Sequence, residues 1–201
     1  MRTKILIGLF LLLSLNLYSE SLSSTFIINT GVFYPRMPKI SYGSPVLGAK
    51  IDGDIYSIIG DVGIGGSYYT SFKSYDSSFD YLRRSEVYLH NFWNLKQDIT
   101  YSAHGLYAGI AHSKLGYHLD EVDELVEHEI TKPIIGYRLA TDYFALTVSW
   151  SQNQSDKSIF SYAIKMRNKH GISFQLIRHT RGLTEDIKSE LMLHAGLELF
   201  F

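Results

Sequence analysis

Apolar and polar residues alternate with a period of two along most of the chain, most clearly in the last eleven residues. There Leu191, Leu193, Ala195, Leu197, Leu199 and Phe201 fall on one side, with Met192, His194, Gly196, Glu198 and Phe200 on the other. Successive strand side chains point to opposite faces, so this segment reads as a strand with one wholly apolar face. The same pattern predicts nine earlier strands. Phe26, Ile28, Thr30, Val32 and Tyr34 oppose Ile27, Asn29, Gly31 and Phe33, and Leu47, Ala49 and Ile51 alternate with Gly48, Lys50 and Asp52. A third row from Tyr56 to Tyr68 opposes Asp61, Gly63, Gly65, Ser67 and Tyr69, and a fourth sets Val87, Leu89, Trp93 and Leu95 against Arg84, Glu86, Tyr88, His90 and Asn94. In the fifth, Ile99, Tyr101, Ala103 and Tyr107 oppose Thr100, Ser102, His104 and His112. Leu106, Ala108 and Ile110 fit the other face, and a bulge near Gly105 would reconcile the two. Rows led by Ile135, Phe144, Phe160 and Ile172 complete the count before the C-terminal strand.

The connections sort by length. Tyr34–Gly43, Lys73–Asp80, Ser113–Thr131, Asn153–Asp156 and Arg181–Lys188 are mostly long and polar, whereas Gly53-Asp54, Lys96–Asp98, Thr141-Asp142 and Asn168–His170 are short. An even strand count with long loops at one end and short turns at the other describes a transmembrane barrel with both termini on the short-turn side. Each strand has roughly the 9 to 11 residues that a tilted strand needs to cross a bilayer. The expected fold is therefore all-β, a closed antiparallel up-and-down transmembrane barrel of ten strands, or eight if Tyr34 to Asp54 stands outside the wall. A soluble sandwich has the same alternation with the faces inverted, apolar rows inward and charges in water.

A strand that closes on a terminal aromatic, here Phe201, resembles the C-terminal signature of bacterial outer-membrane β-barrels, and that resemblance implies an outer-membrane location. The N-terminus agrees. Arg2 and Lys4 precede an apolar run from Ile5 to Leu15 and small residues at Ser19 and Ser21, the order of a cleaved export signal over 1–21. The run is too short for a spanning helix, which wants about 20 apolar residues. Residues 22–201 then form one barrel domain. Its charge follows from removing Arg2, Lys4 and Glu20: 19 basic residues become 17 and 20 acidic become 19, a formal −2. No basic face invites nucleic acid. The absence of cysteine excludes disulfides, thiolate chemistry and zinc–cysteine sites. Tyrosine is abundant, 15 residues, and suits a membrane interface with its apolar ring and wet hydroxyl.

If the apolar rows meet lipid, the other rows line a lumen charged with both signs. Arg84, Glu86, His112, His179, Arg181 and Glu190 are expected near the outer mouth, and Lys50, Asp52, Lys165, Arg167, His194 and Glu198 nearer the periplasm. A barrel this narrow is largely filled by its own side chains, so these groups are expected to pair as an internal plug, an arrangement that resembles the transmembrane domain of outer-membrane protein A. The lumen charge network so expected comprises Arg84, Glu86, His112, Arg181, His194 and Glu198. A narrow selective pore is the alternative. The last hairpin also resembles the end of outer-membrane lipid A deacylases, with His179 before a loop and Glu190 after it as a base and its orienting group. The serine that this family places two residues after its histidine is Arg181 here. The loop bearing His112, His118, Asp120, Glu121, Asp123, Glu124, Glu127 and His128 reads as solvated rather than as a metal site. The glycines Gly60, Gly63, Gly65 and Gly66 lack the strand-to-helix setting of a phosphate loop and read as room for packing. No cofactor is expected. The expected partners are outer-membrane lipid or lipopolysaccharide and a host or envelope ligand met through the outer loops. The expected role is structural or surface-interacting, with solute passage and lipid A modification as alternatives.

Overall fold

The computed structural model describes residues 23–36, 46–57, 60–71, 82–98, 102–119 and 124–201. The export-signal segment, the connections 37–45 and 72–81, and the acidic loop centre with Asp120, Glu121 and Asp123 lie outside the described residues. Ten strands follow one another: β1 Ser23–Arg36, β2 Val46–Ser57, β3 Gly60–Thr70, β4 Leu82–Asp98, β5 Ser102–Leu119, β6 Glu124–Thr141, β7 Phe144–Gln152, β8 Ser158–Arg167, β9 Ile172–His179 and β10 Ser189–Phe200. Each pairs antiparallel with its sequence neighbours, and β1 pairs with β10, which closes the barrel. The seam is finished at its base by the terminal aromatic: Ser24 N donates to Phe201 O at 3.1 Å and Phe201 N to Ser24 O at 2.9 Å. β2 is a full member of the wall, paired on both sides, so the eight-strand arrangement does not occur.

The faces decide between lipid and water. Ile64, Val87, Ile135, Phe174 and Leu197 are 54–60% exposed on the outside, whereas Arg84, Glu190, His194 and Glu198 are at most 4% exposed within. A soluble fold cannot leave such a band bare, because exposed apolar patches of that extent collapse or associate in water. The height of the band agrees. Leu191 to Phe201 spans ten residue steps, about 34 Å along the strand and about 25 Å along the membrane normal at a tilt near 40°. On the far wall the outward residues from Tyr143 to Pro133 cover the same ten steps.

Several expectations are corrected, among them the turn at Lys96–Asp98, which β4 runs through. Gly53-Asp54 is not a turn: β2 continues to Ser57 and β3 begins at Gly60, and Asp54 belongs to the inward row of β2 and meets His90. The greasy face of β5 is Leu106, Ala108 and Ile110, not Tyr107. Pairing with β4 sets Leu106 beside Trp93 outside and turns Tyr107 inward, its ring 5.2 Å from that of His90. The irregularity foreseen near Gly105 lies across from it in β4, between Asn94 and Lys96. Finally, Ser113–Thr131 is not a loop. β5 and β6 stay paired from Ser102↔Thr141 to Leu119↔Glu124, and only residues 120–123 separate them. From Pro133 to Glu124 this hairpin climbs about 23 Å beyond the apolar band at the same tilt. β6 pairs with β7 only from Ile135 to Ala140, so the upper part of β6 pairs with β5 alone among the described residues.

Candidate functional site: a charged lumen under an apolar stopper

The inside of the barrel is layered. At the outer end, Phe33, Val46, Tyr69, Leu82, Leu115, Tyr117, Leu183, Ile187 and Met192 form one buried apolar cluster. Seven of these come from the wall. Leu183 and Ile187 come from the β9–β10 connection, which folds back over the mouth and leaves them 1% and 2% exposed. Backbone and side-chain bonds hold it there. Gly182 N donates to Ile187 O at 2.9 Å, Gln154 N to Leu183 O at 3.1 Å, and Lys188 N to Arg36 O at 2.7 Å. The Tyr117 hydroxyl donates to Asp186 at 2.5 Å, and Lys157 bridges Glu185 at 2.5 Å. Lys157 holds the Glu185 carboxyl below its usual range, and burial, reinforced by Asp186, raises the Tyr117 phenol so that it remains a donor.

Immediately beneath the stopper lies the first ionic layer. Arg84, wholly buried, reaches Glu190 at 3.2 Å and Glu86 at 3.3 Å, while its guanidinium stands 5.4 Å from the centre of the Phe33 ring. Glu86 also accepts from Ser113 at 2.6 Å and lies 3.6 Å from Lys132. Glu190 accepts from Leu183 N at 3.2 Å, which ties the stopper to the charges below it. Deeper, His194 meets the Tyr69 hydroxyl at 2.5 Å, and Lys50 bridges Asp52 at 2.9 Å and donates to Gln175 at 2.8 Å. The periplasmic layer holds His90 with Asp54 at 3.1 Å, Arg138 with Asp61 at 3.0 Å, and Glu198 with Lys165 at 2.9 Å and Arg167 at 3.3 Å. Inward glycines make this layer fit. A Cβ on Gly63 would strike Asp54 and His90, and one on Gly65 would strike Asp52 and Tyr88.

The charges of this network meet opposite charges. Lys50, Arg84, Lys132, Arg138, Lys165 and Arg167 face Asp52, Asp61, Glu86, Glu190 and Glu198, and His90 stands between Asp54 at 3.1 Å and Asp61 at 3.6 Å. Both signs occur in each layer, so no ring of a single charge lines the lumen. Between the layers remains a cavity of about 160 Å³ lined by, among others, Ser149, Ser161, Lys132 and Thr147, polar and large enough for ordered water.

Of the residues singled out by sequence, Arg84, Glu86, His194 and Glu198 face the lumen, as do His179 and Glu190. Two do not. His112 faces outward on β5, 3.2 Å from Glu129 and 2.9 Å from Thr131, because its row is the lipid row that ends at Ile110. Arg181 is exposed in the β9–β10 connection, where Leu183 and Ile187 take the inward path instead. Asp54, Asp61, His90, Lys132 and Arg138 join the network without a signal in the sequence pattern beyond the parity of their positions. Asp61 and His90 already stood on polar rows, whereas Asp54 and Lys132 were hidden by misplaced strand ends. Leu183 and Ile187 were visible as two apolar residues four apart in an otherwise polar loop.

The hydrolase geometry is half present. Ser161, on β8 opposite His179, brings its hydroxyl to 2.6 Å from Nδ1. His179 Nε2, however, lies 4.0 Å from Glu190, beyond a hydrogen bond, and that carboxylate is engaged by Arg84 and the Leu183 amide. The row faces the lumen beneath the stopper, on the opposite side of the wall from any lipid chain. Among the described residues no group of three or more metal-ligating side chains occurs.

An apolar belt outside, paired charges inside and a closed strand order define the class: an integral β-barrel membrane protein of the outer-membrane type. No family model matches the sequence, and no curated protein matches it. Solved structures do. The chain is similar to Neisserial surface protein A at 12% identity, over 90% of this chain and 100% of that one, with a TM-score of 0.44. It is similar to Ail, the attachment invasion locus protein of Yersinia pestis, at 13% identity, 90% and 100% coverage and a TM-score of 0.46. A major outer membrane protein from Thermus thermophilus matches at 11% identity over 89% and 99%, with a TM-score of 0.43. These likenesses are of fold, which the strand register of this chain establishes independently.

Proposed function

We propose that this protein is a sealed outer-membrane barrel that works through its external surface rather than as a conduit or an enzyme. The observation that carries the reading is the stopper: Leu183 and Ile187 close the outer mouth over a lumen whose charges are already paired. What remains available to a partner is the β4–β6 sheet that rises beyond the membrane, together with the outer connections. Residues 1–21 direct export and are removed in this reading, and outer-leaflet lipid and an envelope or host ligand are the partners. One of the solved Ail structures is described as a complex with the heparin analogue sucrose octasulfate, which makes that compound a convenient first probe of the raised sheet.

The test has two arms. Purified protein in a planar bilayer is expected to give no discrete conductance steps, and a chain in which residues 115–128 are replaced by a two-residue turn is expected to keep its heat-dependent gel shift while losing adhesion of expressing cells to immobilised sucrose octasulfate or matrix proteins. Steady conductance from the wild type, or a change in lipid A mass on its expression, would overturn the reading.

A further inference from the structure

We propose that the outer rim of β1, β9 and β10 is a docking site for the phosphorylated headgroup of an outer-leaflet glycolipid, held by Arg36, Arg178, Arg181 and Lys188. The inference rests on the membrane reading above and adds a place and a chemistry to it.

Register brings the four cations together. Arg36 is opposite Ser189, and Lys188 N donates to Arg36 O at 2.7 Å, so the tops of β1 and β10 carry two of them side by side. Arg178 is opposite Leu191 on β10 and Tyr162 on β8, and Arg181 follows at the exit of β9. All four side chains are exposed. They stand at one height. Leu191 is the last residue of the ten-step apolar band on β10, so Arg178 lies at the outer edge of the hydrocarbon and the other three lie just above it. Tyr34 and Tyr162 share the outward row of Arg178, and Phe160 and Trp150 share that of Arg36, which is the interfacial aromatic girdle interleaved with cations.

None of these four charges forms an ion pair among the described residues, and that sets this wall apart. On the opposite wall Arg83 pairs with Glu127 at 3.1 Å, and Lys114 with Glu129 at 2.9 Å. No described carboxylate stands within ion-pair distance of Arg36, Arg178, Arg181 or Lys188: Glu185 bridges Lys157, Asp186 accepts from Tyr117, and Glu190 points into the lumen. Four positive charges without counter-charge among the described residues, at the level where lipid headgroups stand and beside rings that seat acyl-chain boundaries, complement a phosphate-bearing glycolipid. A protein ligand approaching from solution would have no reason to require aromatics at hydrocarbon level.

Detergent-purified full-length protein is incubated with lipid A bearing both phosphates, or with its dephosphorylated form, and retained lipid is counted by native mass spectrometry. The wild type is expected to retain the phosphorylated lipid at least about tenfold better than the dephosphorylated one, given the contribution of each basic side chain at a charged surface. The R36Q/R178Q/R181Q/K188Q protein is expected to fall to the level of the dephosphorylated lipid. The K114Q protein is expected to match the wild type, and inorganic phosphate alone should not displace the lipid. Equal retention of the two lipids by the wild type, unchanged retention by the fourfold variant, or displacement by phosphate alone would each overturn the inference. A heat-shifting barrel that fails to discriminate defeats only this site, whereas a wild type that stays soluble without detergent defeats the membrane reading itself.

Discussion

Arg84 shows how a single residue can bind two layers of this barrel. Its guanidinium is completely buried, meets two carboxylates and lies over the Phe33 ring beneath the stopper. Removing it leaves Glu86 and Glu190 buried with fewer partners, and uncompensated buried charge is among the most destabilising of lesions. Arg84→Ala should cost about 3–5 kcal/mol, read as a lower urea midpoint in micelles. Arg83→Ala, one residue away on the outer face with a half-exposed bridge to Glu127, should cost less than about 1 kcal/mol. Gly63→Val tests the complementary point, that absent side chains make the ionic layer fit. It should destabilise by about 1–3 kcal/mol, because Asp54 and His90 occupy the space a side chain needs.

At the scale of elements, the β9–β10 connection is the part that separates a plug from a pore. Leu183→Asp together with Ile187→Asp should lift it from the mouth, since two carboxylates cannot replace two buried aliphatic side chains in an apolar cluster. The double variant is expected to show protease cleavage between 181 and 188 that the wild type resists. A pH effect belongs to the same element. Lys157 lowers the Glu185 carboxyl relative to its ordinary value of 4.5, and for a group with a depressed folded value the stabilisation is present above the unfolded value and is lost as pH falls through the folded one. Protection of the connection should therefore hold at neutral pH and decline only below about 4.5, an effect that Glu185→Gln should abolish. Strand content was legible in the alternation, because period two is dictated by backbone geometry whatever surrounds it. Strand ends were not. β5 and β6 run on past the membrane because their paired backbones satisfy each other, and polar outward residues such as Lys114 and Glu129 look like a loop in sequence although they form a ladder in space.

For the whole molecule the inverted faces make a prediction that depends on depth. Leu197 lies near the middle of the ten-step outward band of β10, and Leu191 at its outer edge. Leu197→Arg should cost about 2–4 kcal/mol in a bilayer and Leu191→Arg no more than about 1 kcal/mol, as measured by chemical unfolding from liposomes. A soluble sandwich would show no such gradient. The folded barrel should also migrate differently on a gel before and after boiling, because the closed hydrogen-bonded wall resists detergent until heated.

The sequence by itself determined the all-β class, which residues share a face in nine of the ten strands, and the even count, since each follows from local periodicity and from where turn residues stand. It also placed Arg84, Glu86, His194 and Glu198 on the face opposite the apolar rows, because that assignment needs only the parity of a position, and the closed barrel turned that face inward. Tertiary structure alone decided which charge meets which, that His112 faces out while Tyr107 faces in, and that Leu183 and Ile187 shut the mouth. Those facts depend on register between strands distant in sequence and on the path of one connection. Neither is encoded in the alternation of a single strand, because pairing is fixed only when the sheet closes and every inward group must find a partner in the same narrow space.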